Sequence, residues 1–390
     1  MKQKIFMSIL STGLGVLTVP AAGEEYLVRL KSSLRTMETR LSPQQVSQEE
    51  LVELLSAGEV EAFEPNYTYH LMFGSRKPGN PPAPPKPAPK PVPKPSPIPA
   101  PAPSPGAGAP NDQLFKDQWA LLKTNAVAAW RSETGSRQIR VAVMDTGVDL
   151  LHKDLLCNLE TGFNATKPGD APQDQQGHGT HVAGIVGACS NNGIGIAGVA
   201  QVNIVPIKAS RDGSFSNSDI IRGIDWAIEQ KVDVINMSFG GPANSTFLYE
   251  ALKEASDAGI LLVAAAGNSA ENNDVSPSYP ANYALANLIS VASSTDADSI
   301  SSFSNYGPSL VHVAAPGSNV LSTLVGGGYG YKSGTSMAAP FVAGALGLLL
   351  SHRPQITAAE AKRLVTSKVS TTSGRATRSN GRVDLKKLLE

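Results

Sequence analysis

Two kinds of apolar pattern alternate from Asn111 to the end of the chain. Short, nearly unbroken runs ("IRVAVMD", "VNIVPIKA", "VDVINMS", "ILLVAAAGN", "LISVASS" and "LVHVAAPG") predict strands. Between and after them, "AVAAWRSE", "THVAGIVGACS", "SDIIRGIDWAIEQ", "STFLYEALKEASDAG", "AAPFVAGALGLLLSH" and "TAAEAKRLVTSKV" predict helices. Strands without polar alternation are buried on both faces, which implies a mostly parallel sheet between helices. Residues 111–390 are therefore expected to form one large α/β domain without internal repeats.

The N-terminal part reads differently. "EEYLVRL" alternates like a strand, "SPQQVSQEELVELLSAG" combines a Ser cap, helical spacing and a Gly stop, and "VEAFEPNYTYHLM" is strand-like again. Residues 24–75 are expected to be a small α+β unit, short enough to bury a reduced share of its surface. In residues 76–110 proline dominates, removing backbone donors and favouring polyproline II, so a semi-rigid soluble tether is expected. At the start, Lys2 and Lys4 precede an apolar stretch of roughly fifteen residues and then small residues, the layout of a secretory signal over residues 1–23. Cleavage is expected within Ala21–Gly23. No later segment is expected to have the uninterrupted apolar length to cross roughly 30 Å of hydrocarbon. The expected product is secreted: extracellular, or periplasmic in a Gram-negative cell.

Lys+Arg and Asp+Glu each number 33 in 390 residues, so net charge is zero and neither nucleic acid nor an anionic membrane is an expected partner. A monomer is expected. The two cysteines, Cys157 and Cys189, are too few for a disulfide scaffold. They are either one bridge, which an exported protein permits, or two small buried hydrophobes.

In a parallel α/β sheet, chemistry collects beyond the carboxyl ends of strands. Asp145 ends "RVAVMDTG" at a Gly turn, where a lone carboxylate is ordinarily a helix cap. "QGHGTHVAG" puts His178 at an exposed helix start, suited to a base, and His181 one turn further in, suited to packing and hydrogen bonding. The two histidines with Asp145 are also a rival zinc set, although the glutamate of H-E-x-x-H is missing. In "GYKSGTSMAAPFVAG", Ser336 stands where a Gly-Thr turn meets an Ala-rich helix. A serine there is ordinarily a cap, but helix-end amides also favour a developing negative charge before a solvent-facing hydroxyl. Serine becomes nucleophilic when a base takes its proton and a third group holds that base. Asp145, His178 and Ser336 are those three types, and Asn268 in "VAAAGNSA" carries an amide able to donate to an oxyanion.

Taken together, "VAVMDTGVD", "GHGTHVAG", "VINMSFGGP", "VAAAGN" and "GTSMAAP" stand intact and in order, and residues 111–390 resemble a subtilisin-type serine protease of the subtilase family. The resemblance implies a subtilisin-like three-layer fold and a serine endopeptidase. Ser336 would attack a peptide carbonyl, with His178 as base and then acid and Asp145 orienting it. The Asn268 amide and the Ser336 N–H would hold the oxyanion. A polypeptide substrate would bind as an added strand between Gly213-Ser214-Phe215 and Ser238-Phe239-Gly240. Its S1 pocket would be walled by Ala265, Ala266 and Gly267 and floored by Ser278. No acidic residue is evident there, so medium or large apolar P1 side chains are expected.

The same resemblance implies a calcium site at Asp112, Asp154 and Asn192 with the carbonyls of Ile194 and Ile196, plain caps and turn amides being the alternative. It also makes residues 24–75 similar to the family's inhibitory propeptide, an intramolecular partner whose "YTYHLM" occupies the active site. Self-cleavage is then expected near His70–Phe73. The proline-rich tether departs from the family pattern. A self-processing exported endopeptidase is the leading hypothesis. A metal-dependent hydrolase using His178, His181 and Asp145, and a catalytically silent binding protein, are its rivals.

Overall fold

The computed structural model describes residues 25–30, 43–72 and 108–390. The expected signal sequence and nearly all of the proline-rich tether lie outside the described residues. The chain divides into two compact units, Met1–Asn66 and Tyr67–Glu390.

In the first unit, β1 (Glu25–Leu30) lies between β2 (Gln44–Ser47) and β3 (Val60–Pro65), antiparallel to both, and α1 (Gln48–Ser56) accompanies them. Tyr26, Val28 and Leu51 form its core, with Leu54, Val60 and Phe63 packed around. Ser47 and Glu50 exchange hydrogen bonds as a capping box, which fixes where the helix starts. The preceding glutamines, expected to lead into that helix, instead form β2, because their backbone groups find ladder partners on β1.

The second unit opens with β4 (Thr68–Leu71), and the short helices α2 (Trp119–Lys123) and α3 (Ala126–Ala129) lead into β5 (Arg140–Asp145). Then come β6 (Phe163–Asn164), α4 (His178–Gly187), β7 (Asn203–Lys208), β8 (Ser214–Ser216) and α5 (Asn217–Glu229). Next are β9 (Val234–Met237), β10 (Phe239–Gly240), α6 (Thr246–Asp257), β11 (Leu261–Ala265) and β12 (Leu288–Ser294). The chain continues with β13 (Val313–Pro316), β14 (Val320–Leu324), β15 (Gly328–Lys332) and α7 (Thr335–His352). It closes with α8 (Ala358–Ser367), β16 (Val369–Thr371), β17 (Gly381–Val383) and α9 (Leu385–Leu389).

Nine strands form one sheet in the order β16-β17-β13-β12-β11-β9-β5-β7-β6, parallel except for the β16–β17 pair. Its central strands are buried on both faces, as their unbroken apolar sequences require. Val141, Val143, Val234 and Val263 share one core with Val182 and Val186 of α4 and Phe341, Leu346 and Leu348 of α7. On the opposite face, Gly223 of α5 packs against Met144 and Ile207. α7 corrects one expectation: its 18 residues are long and apolar enough to cross a membrane. Being apolar all round, it is instead a buried core helix.

Cys157 and Cys189 are joined as a disulfide, with Cα atoms 6.0 Å apart. The bridge ties the segment after Asp154 to the second residue beyond α4 and spans 32 positions. Replacing both cysteines with serine is expected to lower unfolding free energy by about 3–4 kcal/mol through lost loop closure. Urea unfolding checks this, and reduced wild-type protein should behave like the variant.

Candidate active site

The pairing of β5 with β9 sets Met144 beside Met237, so Asp145 and Ser238 leave neighbouring strand ends side by side. Adjacent strands are about 4.8 Å apart. Asp145 is fully buried; its Oδ1 accepts from the Thr146 N–H at 2.8 Å. His178 Nδ1 lies 2.8 Å from Asp145 Oδ1 and 3.0 Å from Oδ2. Two carboxylate oxygens accept there, so Nδ1 carries a proton and Nε2 is the nitrogen left to act as base.

Local sequence explains why His178 arrives at that point. Gly177 precedes α4 with φ 90°, a left-handed conformation. The buried carboxylate of Asp174 gathers the N–H groups of Gln176, Gly177 and Thr180 and the hydroxyls of Thr146 and Thr180. That is an anionic cap at a helix N-terminus. A Cβ at Gly179 would stand 2.1 Å from the Gly147 carbonyl oxygen and 3.0 Å from Asp145 Cβ. Only glycine lets the first turn of α4 settle onto the end of β5.

Ser336 is the second residue of α7. Contrary to the solvent-facing hydroxyl expected from sequence, it is fully buried, as is His178. Its Oγ lies 2.6 Å from the carbonyl oxygen of Met72 and 2.7 Å from that of Ser238, and donates its single proton to one of them at a time. The Met72 peptide is what occupies the space expected to be solvent.

Pro340, inside α7, supplies a feature that motif reading missed. It has no N–H for the Ser336 carbonyl one turn back. Ser238 Oγ donates to that carbonyl instead, at 3.0 Å, while accepting from Asn236 Nδ2 at 2.9 Å. A proline within an apolar helix was the available signal. Asn268 is held by its own oxygen, which accepts from the N–H and hydroxyl of Thr335 at 2.9 and 3.0 Å. Its Nδ2 is buried without a hydrogen-bond partner among the described residues. An unsatisfied buried donor costs about 1–3 kcal/mol, which an arriving oxyanion would recover.

The segment Thr68–Met72 runs between the two edges expected to hold substrate. Tyr69 pairs with Phe215 and His70 with Ser214 on β8; Leu71 pairs with Phe239 and His70 with Gly240 on β10. The Leu71 N–H donates to Gly213 O at 3.1 Å. Tyr69 is fully buried and its hydroxyl donates to Ala243 O at 3.0 Å. A Cβ placed on Gly240 would stand 2.4 Å from Met72 Cε and 3.2 Å from Ser278 Oγ, so Met72 and Ser278 both border this glycine. The methyls of Ala265 and Ala266 pack into core clusters, and Gly267 abuts Asn305. Any wall these residues give a pocket is therefore main chain.

His181 points away from Asp145: its Nε2 donates to Gly330 O at 3.0 Å, and burial pushes its pKa down to about 3, keeping it neutral. The rival zinc set is therefore not assembled, and among the described residues no three metal-ligating side chains of the His, Cys, Asp and Glu types cluster.

The residues expected to hold calcium do come together. Asp112 accepts from the N–H groups of Asn191 and Asn192, at 2.9 and 3.1 Å. Asp154 accepts from Asn192 Nδ2 at 2.6 Å, from the Ile196 N–H at 2.9 Å and from the Tyr329 hydroxyl. Asn192 Oδ1 accepts from the Ile194 N–H. Burial raises the pKa of both carboxylates, and Asp112 raises Asp154 further. The contacts around both carboxylates are N–H and O–H donors, the caps and turn amides left as the alternative from sequence, and Asn192 turns its amide nitrogen to Asp154. What speaks for a hard divalent cation is two desolvated carboxylates that repel each other.

The profile of the subtilase family, Peptidase_S8, matches residues 136–383. The chain is 44% identical over 235 residues to the major intracellular serine protease of Bacillus subtilis, covering 58% of this chain and 72% of that protein. It is 42% identical over 246 residues to thermitase of Thermoactinomyces vulgaris, covering 62% and 86%. A solved protease structure from Pseudoalteromonas arctica matches with a TM-score of 0.66 and 32% identity, over 72% of this chain and 99% of that one.

Gly179→Ala is expected to force α4 off β5 and to cost about 1–3 kcal/mol by overpacking. Denaturant unfolding checks the loss, and weakening of the His178–Asp145 bond should appear as an upfield move of the low-field Nδ1 proton resonance.

Proposed function

The chain belongs to the subtilase family, and on that premise we propose that it is an exported, self-processing serine endopeptidase acting through Asp145, His178 and Ser336. One observation carries the reading: the Ser336 hydroxyl stands 2.6 Å from the Met72 carbonyl oxygen, at the end of a strand paired on both sides. The Met72–Phe73 bond is then the first substrate. Ser336 Oγ attacks the Met72 carbonyl carbon as His178 Nε2 takes the hydroxyl proton, and Asp145 stabilises the imidazolium. As charge develops, the Met72 oxygen would turn from the Ser336 hydroxyl towards Asn268 Nδ2, which it does not meet in the uncut chain, and the Ser336 N–H. His178 returns its proton to the amine of Phe73, the C–N bond breaks, and a Met72 acyl-enzyme remains for water to hydrolyse. The strand, an intramolecular inhibitor before the cut, would still fill the cleft afterwards as a non-covalently held one. Other polypeptides would enter as the same kind of strand, with apolar P1 side chains such as Met72 favoured beside Ser278.

Calcium belongs to the proposal as a structural ion. Asp112, Asp154, Asn192 and the carbonyls of Ile194 and Ile196 would hold it, and it would neutralise the repulsion between the two carboxylates. Export rests on Lys2, Lys4 and the apolar run after them, and on a disulfide suited to an oxidising compartment.

Wild-type protein should mature to an N-terminus at Phe73, read by mass spectrometry, and a serine-directed phosphonate should label Ser336. Ser336→Ala should leave the precursor uncut and lower casein hydrolysis by about 10⁴-fold or more. A Ser336→Ala chain that matures at the same bond and digests casein would overturn the reading.

Chelation should lower the melting midpoint and added calcium should restore it. At calcium 100-fold above its Kd the difference is about 2.7 kcal/mol. Asp154→Asn should remove the response; an unchanged response would exclude this loop as the site.

A further inference from the structure

The hairpin of β14 and β15 is fastened along the helix that carries His178. Ser322 Oγ donates to His181 O at 2.6 Å and Thr323 Oγ1 to Thr180 O at 2.7 Å. His181 Nε2 donates back to Gly330 O. Lys332 ends the hairpin, four residues before Ser336, and is half-buried. Its Nζ donates to the carbonyl of Gly177 at 2.9 Å. Gly177 is the residue immediately before His178 and the cap of α4. One side chain thus runs from the segment entering the nucleophile's helix to the residue preceding the base. Lys332 lies within the quoted stretch "GYKSGTSMAAPFVAG", but the sequence reading gave it no role.

We propose that Lys332 is a positioning residue: its ammonium grips the Gly177 carbonyl and so holds the His178 imidazole in line with Ser336. This rests on the protease reading of the same site. The sheet already ties the two from beneath, through Asp145 to His178 and through Ser238 to Ser336. Lys332, paired with Val320 in the β14–β15 hairpin, adds a second tie from outside the nine-stranded sheet. Burial opposes its charge and leaves its pKa lowered, although Asp174 before α4 and Asp145 at the end of β5 favour the charge. The other titratable groups around it are His178 and His181 on α4, and Lys208 on β7, which shares the same two carboxylates. A lysine with a lowered pKa loses its proton at lower pH than usual, so the grip weakens as pH rises through that value.

The test compares wild type, Lys332→Met and Lys332→Arg by kcat, KM and the rate of Ser336 phosphonylation across pH. Lys332→Met should lose about 10- to 100-fold in kcat and in phosphonylation, the scale of a small misplacement of reacting groups, while KM stays within about twofold. Lys332→Arg should recover most of the rate. Its guanidinium keeps its charge, so the alkaline decline of kcat should move to higher pH. Wild-type rates and pH profile in Lys332→Met would overturn the proposal, as would an Arg variant as slow as the Met variant. If Lys332→Met does not fold, the Arg profile decides: an alkaline decline that stays in place counts against Lys332. Wild-type protein that no serine-directed phosphonate labels would sink the protease reading first, and this inference with it.

Discussion

The hydrogen bond from Ser238 Oγ to the Ser336 carbonyl is the contact on which the candidate site depends. It exists because Pro340 has no N–H to give that carbonyl, so a helix that would otherwise satisfy itself must take a donor from the sheet. The donor stands at the end of β9, next to β5, whose last residue holds His178. Two hydrogen bonds from adjacent strand ends thus reach two different helices. In a close-packed interior neither helix can slide without breaking one of them.

Burying this much polarity requires that nearly every group find a partner. Asp174 does so with five donors, and Asp145 divides its oxygens between Thr146 and His178. Against that background the unpartnered Nδ2 of Asn268 is informative. Thr335 holds the amide by its oxygen, so the donor end has one orientation and no acceptor among the described residues. The neighbouring hydroxyl of Ser336 meanwhile meets the carbonyl of Met72, next to a strand that completes a small sheet with β8 and β10. A donor without an acceptor and a serine hydroxyl at a peptide carbonyl are the two features on which the proposed acyl-transfer chemistry rests.

The loop around Asp112 and Asp154 is joined to the candidate site by covalent and hydrogen-bonded links. Cys189, disulfide-bonded to Cys157, donates its N–H to the Asp154 carbonyl at 2.7 Å. The Asp154 carboxylate in turn accepts from Tyr329, in the strand that ends at Lys332. Burial and the Asp154 charge raise the Tyr329 hydroxyl well above its usual range, so it remains a donor. Charge balance at Asp154 therefore bears on the hairpin that flanks α4.

By itself the sequence determined the layered α/β class, since unbroken apolar strands spaced by helices have few other ways to bury both faces. It also marked Asp145, His178, Ser336 and Asn268, each at or near an element end. Periodicity and motifs report neighbours along the chain, and the remaining features depend on neighbours across it. The burial of Ser336 beneath Met72, the core-facing methyls of Ala265 and Ala266 and the Cys157–Cys189 bond were decided by packing. So was the reach of Lys332 to Gly177, which spans 155 positions in sequence and one hydrogen bond in space.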